Sequence, residues 1–203
     1  MSSEARPLLI VVSAPSGAGK STLCRRLVAE EPDIVYSVSC TTRPPRGREQ
    51  HGRDYFFLDP DDFERRARQD LFLEHASVHG YRYGTLRETV RDVLSNGQSV
   101  LMDIDVQGAA QIRRAARRSP EGDLLRDGFV DIFIAPPSLE TLRERLEKRG
   151  EDEPDTVARR LRNAEKEMAC QSDFSHKVVN DDLETAYARF KAILQAERDG
   201  KRE

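Results

Sequence analysis

The stretch "PLLIVVSAPSGAGKST" (Pro7–Thr22) runs five apolar residues, Leu8 to Val12, into a glycine-bearing turn that ends in Lys20, Ser21 and Thr22. A short, β-branched apolar run reads as a buried strand, and the periodic residues from Gly19 to Glu30 read as the helix after it. Strand, glycine turn, Lys-Ser and helix together match the phosphate-loop pattern G-x-x-x-x-G-K-[ST]. Gly17 and Gly19 leave the backbone free to curl around an anion, and loop amides with the positive helix end supply donors. Lys20 would reach the β- and γ-phosphates, while the Ser21 hydroxyl suits Mg²⁺. Ala14 stands at the first glycine position of the pattern, so it is expected to keep a negative φ.

Working outward, strands and helices alternate. "SVLMDID" (99–105), "FVDIFIA" (129–135) and "HKVVN" (176–180) read as strands, with helical runs from about Gln107 and Ser138 and a closing helix in "LETAYARFKAILQAER". Such alternation predicts an α/β fold with a mostly parallel central sheet flanked by helices. Two segments break the rhythm. Residues 36 to about 97 carry mixed turns and short amphipathic runs. Residues 143 to about 170 form a charge-dense helical hairpin in which "GEDEP" stops one helix and starts the next at a proline.

With 203 residues, a formal net charge of −3 and 34% charged residues, the chain suits one well-solvated domain. No apolar run reaches the roughly 18 residues a membrane span needs, and no signal-peptide pattern is expected from the first residues. Cys24, Cys40 and Cys170 lie far apart without a C-x-x-C pair, so a reduced, cytoplasmic setting is expected. Without a global basic field, nucleic acid is not the expected partner.

The stretch "SVSCTTRPPRGREQHGRDYFF" (37–57) nevertheless holds Arg43, Arg46, Arg48 and Arg53. Beside a phosphate loop, arginines are suited to a second phosphate. Pro44 and Pro45 stiffen the spacing of Arg43 and Arg46, and Ser39 and Tyr55 add hydroxyls; Arg48 and Arg53 read as solvated. In "FLEHASVHGYRYGT", Glu74 sits among apolar residues, where a carboxylate is costly without donors. Guanine offers two, N1–H and the 2-amino group, and Thr85 would donate to O6. Alternatively Glu74 is salt-bridged and Thr85 caps a helix through the capping box "TLRE". "LMDIDVQG" places Asp103 and Asp105 on one side of a strand's C-terminal end. There Asp103 would orient Mg²⁺ through water, and Asp105 would face the acceptor base.

Together, "SAPSGAGKST", "SVSCTTRPPRGREQHGRDY", "FLEHASVHGYRYGT", "DIDVQG", "IFIAPPS", "RLEKRG" and "VVNDD" resemble the guanylate kinase family of P-loop nucleoside monophosphate kinases, from about Leu8 to Glu197. The resemblance implies Mg²⁺-dependent transfer of the γ-phosphoryl of ATP to GMP, giving ADP and GDP. It implies that the loop Ala14, Pro15, Ser16, Gly17, Ala18, Gly19, Lys20, Ser21 and Thr22 holds ATP, with Asn180 on the adenine side. Ser39, Arg43, Arg46, Tyr55 and Tyr83 match the residues that hold the GMP phosphate, and Glu74, Thr85 and Asp105 those that read guanine. Lys20 with Arg145, Arg149 and Arg160 matches the cations around the transferred phosphoryl, with Ser21 and Asp103 toward the metal. The implied organisation is one domain over 1–203: a core of 6–36, 98–142 and 171–203, a GMP-binding region of 37–97 and a lid of 143–170. The expected partners are ATP and GMP, without nucleic acid or membrane, in a monomer or homodimer. "RRSPEGDLLRDG" (117–128) is longer than the usual connection and is expected to form a surface loop.

Two rival readings belong to other classes. A peptide-binding scaffold of the same fold would tend to lose the loop lysine or lid arginines, which this chain keeps; a kinase for another monophosphate or small alcohol would differ only in its acceptor. No N-K-x-D sequence points to a small GTPase. His75 and His79, four apart, are the nearest approach to a histidine pair, and no cysteine is placed as a nucleophile.

Overall fold

The apolar run that opens the sequence becomes the middle strand of a five-stranded sheet in the computed structural model, which describes residues 6–78, 80–148 and 154–200. In chain order the elements are β1 (Leu9–Ser13), α1 (Lys20–Glu30), β2 (Ile34–Tyr36), β3 (Cys40–Thr41), β4 (Phe56–Phe57), α2 (Pro60–Arg68), β5 (Phe72–Val78), β6 (Tyr81–Leu86) and α3 (Arg87–Ser95). They continue with β7 (Ser99–Asp103), α4 (Val106–Arg118), α5 (Leu124–Asp127), β8 (Phe129–Ala135), α6 (Leu139–Lys148), α7 (Pro154–Ala169), β9 (His176–Val179) and α8 (Leu183–Arg198). The large sheet has the order β2-β7-β1-β8-β9, and all its pairings are parallel.

Both faces of this sheet are covered, and strand alternation divides the core. Leu8, Ile10 and Val12, with Val130, Ile132 and Ile134, face Leu23 and Leu27 of α1 and Phe190 and Leu194 of α8. Leu9, Val11, Met102 and Phe133 face the other way, against Val90 and Leu94 of α3, Ile112 of α4 and Leu125 of α5. Burying each such side chain fully contributes roughly 1.5–3 kcal/mol. Thus α3, although it lies within the 36–97 segment that breaks the alternation, packs onto the large sheet.

Asp131 interrupts the apolar lining of β8 and is fully buried. Arg113 of α4 donates to it through Nε at 2.7 Å, and the amide and hydroxyl of Ser175 both donate to its second oxygen, at 2.8 and 2.6 Å. The guanidinium also lies over Phe174, 4.7 Å from the ring centre. Removing one partner strands a buried charge, which costs roughly 3–5 kcal/mol. Arg113→Ala should therefore lower stability toward urea by roughly 3 kcal/mol, near the small end because Ser175 stays bonded. A midpoint within error of the unmodified chain would refute this.

The second sheet has the order β4-β3-β6-β5. Its decisive irregularity is a bulge in β5: Phe72 pairs with Leu86, but Glu74 pairs with Thr85. The extra residue sends Phe72 to the small cluster with Phe63 and Cys40, sends Leu73 to the main core, and brings Glu74 beside Thr85. Bulges re-aim side chains in this way.

Three local expectations fail. Thr85 lies inside β6 and α3 starts two residues later without a side-chain cap, so the capping box does not form. The Thr85 hydroxyl bonds Glu74 instead. Strand β7 stops at Asp103, and Asp105 is the N-cap of α4, accepting from Gly108 N at 2.8 Å; period two therefore does not relate the two aspartates. The 117–128 connection is more than a surface loop, because Asp123 caps α5 and Leu125 is buried.

Helices α6 and α7 form the hairpin. It has a small core of its own, Leu142, Leu146, Val157 and Ala164 with Leu161 against them. Among the described residues no helix is long and apolar enough to cross a membrane.

Candidate active site

The phosphate loop connects β1 to α1 at the C-terminal edge of the large sheet. Gly17 and Gly19 adopt φ of +94° and +91°, which side chains rarely tolerate. Ala14 is not among the positive-φ residues, in keeping with its side chain. Asp105 caps α4 and Asp182 caps α8, whereas the N-cap of α1 is Gly19, which has no side chain to cap it. The first amides of α1 are therefore open to an anion. Loop residues 14–17 and 19–22 line a cavity of about 350 Å³ together with Asp103, Asp105 and Glu167.

Asp103 is the hub of the donor side. Lys20 Nζ forms an ion pair with its carboxylate and also donates to the Ile104 carbonyl at 3.1 Å. Tyr36 donates to Asp103 Oδ2 at 3.0 Å, and Ser21 Oγ lies 3.5 Å from the same oxygen. A hydroxyl and a carboxylate beside a phosphate cavity are the hard oxygen donors that Mg²⁺ takes, with substrate phosphates completing its shell. Among the described residues no group of three potential ligands is placed to hold a metal unaided, so these two fit a metal that arrives with a nucleotide.

Asn180 completes the loop from β9. Its side-chain amide is buried and donates to the Ala18 carbonyl at 2.7 Å, so it shapes the phosphate loop directly. Arg145 of α6 donates to the Asn180 carbonyl at 2.9 Å. Leu142 and Leu146 of the same helix pack so closely that a Cβ on Gly17 would lie 3.1 Å from both. Arg160 is half-buried on α7. Arg149 lies outside the described residues, as does His79.

The acceptor cavity, about 540 Å³, lies between the second sheet and α7. Ser39, Tyr55, Glu74, Tyr83 and Asp105 line it, so five of the residues chosen from sequence for the acceptor converge here. Glu74 is only 6% exposed. Thr85 donates to its Oε1 at 2.9 Å, and Ser39 is 3.1 Å from the Thr85 hydroxyl. Burial pushes the Glu74 carboxyl up to about 7, the Thr85 bond works against this, and neighbouring Asp105 adds to it. Gly108 of α4 is 3.0 Å, by a hypothetical Cβ, from the other Glu74 oxygen. Any side chain there would crowd the carboxylate.

Arg43 and Arg46 separate in the structure. Arg43 is 5% exposed and holds Glu49 bidentately, at 3.0 and 2.8 Å, with its guanidinium 5.3 Å from the Tyr55 ring centre. Arg46 is exposed; its backbone amide donates to Glu49 Oε2 at 2.8 Å and its carbonyl accepts from the Glu49 amide at 3.0 Å. Arg53, read as solvated, lies on the rim of a neighbouring cavity that Ser39, Tyr55 and Thr85 also line.

Several residues of the site were not foreseen. Tyr36 holds Asp103, Glu49 holds Arg43, and Asn163 and Glu167 of α7 enter the acceptor cavity. The pair is spaced i, i+4 on one helix face, a signal that was present but lost among the hairpin's many charges. Buried Cys24 and Cys40 are pushed up to about 12 and about 11 by burial and are unsuited to nucleophilic chemistry.

A phosphate loop on a parallel sheet of this order, with a second cavity closed by a helical hairpin, defines a P-loop nucleoside monophosphate kinase. The family profile described as guanylate kinase matches residues 6–197. A guanylate kinase of Polaromonas sp. is 46% identical over 190 residues, covering 94% of this chain and 87% of the relative. One from Ruegeria pomeroyi is 45% identical over 195 residues, covering 96% and 88%. Among solved structures, guanylate kinase from Anaplasma phagocytophilum superposes with a TM-score of 0.70 at 33% identity, over 96% of this chain and 87% of that one. The chain belongs to the guanylate kinase family.

Proposed function

We propose that the two cavities and the hairpin beside them divide the work of a guanylate kinase, which transfers a phosphoryl group from ATP to GMP. The observation that carries the reading is the buried Glu74 carboxylate, set by the β5 bulge next to Thr85 and opening onto a cavity that shares Asp103, Asp105 and Glu167 with the phosphate-loop cavity. Ionised, it accepts from guanine N1–H and the 2-amino group, with Thr85 and Asp105 at the same end. Ser39, Arg43, Arg46, Tyr55 and Tyr83 hold the GMP phosphate. Arg43, already braced by Glu49, fixes the geometry, while Arg46 swings in from solvent.

Residues 14–22 and Asn180 hold ATP. An oxygen of the GMP phosphate attacks the γ-phosphorus; the new P–O bond forms as the bond to the β,γ-bridging oxygen breaks, leaving ADP and GDP. Lys20, Arg145, Arg149 and Arg160 stabilise the charge as it spreads. Ser21 and Asp103 would hold Mg²⁺, which neutralises β- and γ-oxygens when bound. Residues 37–97 act as the GMP-binding region, 143–170 as the lid and the remainder as the core. Closure excludes water and so limits wasted hydrolysis.

ADP release measured against a panel of monophosphates tests the reading: GMP should far exceed AMP, UMP and CMP, and equal rates would refute it. A second test uses pH. Since Glu74 starts near 7 and binds guanine ionised, nucleoside affinity should weaken by about tenfold per unit as pH falls below 7 and level off above it. Guanosine is the probe, because it carries no phosphate to titrate. A flat profile from pH 5.5 to 8 would remove Glu74 from the base site.

A further inference from the structure

Glu167 stands where negative charge is least welcome. It projects from α7, half-buried, into both the phosphate-loop cavity and the acceptor cavity. Asp103 and Asp105 line the phosphate-loop cavity with it, and Lys20 is the cation of that cavity. No donor is bonded to the Glu167 carboxylate among the described residues, and Lys20 is already committed to Asp103. Burial raises the carboxyl's pKa and Lys20 lowers it, while Asp105 adds to the rise. Besides Glu167, the helix carries Arg159, Arg160, Arg162 and Lys166 against Asp155 and Glu165, an excess of two positive charges. That excess draws the helix toward a polyphosphate, and Glu167 is the acidic group set against it at the cavity.

We propose that Glu167 makes lid closure conditional on the divalent cation that accompanies ATP. Its carboxylate repels a bare triphosphate in the loop and tolerates one whose charge a cation has partly cancelled. Glu167 acts through the placement of α7 and not on the reacting atoms, so it is a positioning residue. The inference rests on the kinase reading above. At an effective dielectric of about 20 to 40, one like charge several ångströms away corresponds to a discrimination of about tenfold or more.

The test compares the full chain with Glu167→Gln, and with Glu165→Gln as a control on the exposed face of the same helix. Each is titrated with the non-hydrolysable β,γ-imido analogue of ATP in the presence of GMP, with Mg²⁺ or with EDTA, while hydrogen exchange is followed across residues 154–169. In the unmodified chain the analogue should protect this window only with Mg²⁺. In Glu167→Gln the ratio of metal-free to metal-loaded dissociation constants should fall about tenfold, and metal-free analogue should protect the window. An unchanged ratio, an equal shift of both constants, or the same fall in Glu165→Gln would each overturn the proposal. GMP-dependent ADP release by the unmodified chain is measured alongside. If it persists while the ratio is unchanged, the gate alone fails; if it is absent, the kinase reading fails and the gate with it.

Discussion

Lys20→Met should lower turnover by about a thousandfold or more while leaving GMP affinity within about twofold. Lys20 sits at the first turn of α1, where its ammonium contacts Asp103 and the Ile104 carbonyl and faces the phosphate-loop cavity. On the proposed function, charge on the transferring phosphoryl grows at that point, and the ammonium would then contribute more in the transition state than in the ground state. The acceptor cavity is built from other residues, and the fold should hold because Asp103 keeps Tyr36 and the pair is partly solvated. Steady-state ADP release with calorimetric GMP titration decides it. Turnover within tenfold of the unmodified enzyme would place the transferred phosphoryl elsewhere.

Glu74→Gln should collapse the preference for GMP over AMP by about a hundredfold or more. Sites that reject a ligand by leaving a buried polar group unsatisfied discriminate by roughly 10⁴-fold. AMP sets its acceptor N1 against the carboxylate and brings no 2-amino group. Glutamine keeps the size but accepts through one atom only, and its amide would face a guanine donor. GMP efficiency should therefore fall steeply and AMP efficiency little, with IMP intermediate on the unmodified chain because it lacks only the 2-amino group. Values of kcat/KM for the three nucleotides on both proteins provide the measurement. A ratio that survives the substitution would assign guanine recognition to Thr85 and Asp105 without Glu74.

The three central strands of the large sheet were legible because they are mostly apolar runs buried on both faces, and Phe129–Ala135 needed no adjustment at either end, whereas the edge strand β2 is short, half-exposed and was not read. The phosphate loop was legible for a different reason: its glycines, lysine and hydroxyl are contiguous. The acceptor side resisted local reading. A one-residue bulge between Phe72 and Glu74 leaves no periodic trace, yet it decides that Thr85 bonds Glu74 instead of capping α3. Asp105 looked like a strand residue because "LMDID" alternates, but the chain leaves the sheet at Asp103 to begin α4. Pairings over long separations, such as Tyr36 with Asp103 or Arg113 with Asp131, depend on how elements stack, which no short window contains. The hairpin's small core was hidden because its leucines are sparse among arginines and glutamates.

The Asn180 amide that meets the Ala18 carbonyl has a bearing on biosynthesis. The two residues are 162 positions apart, so the phosphate loop leaves the ribosome long before the strand that finishes its shape. Until β9 pairs with β8, the Ala18 carbonyl lacks this partner. A chain ending short of Asn180 would lack this bond to the loop. The shape of a loop encoded near the start of the chain is thus finished by a residue encoded near its end.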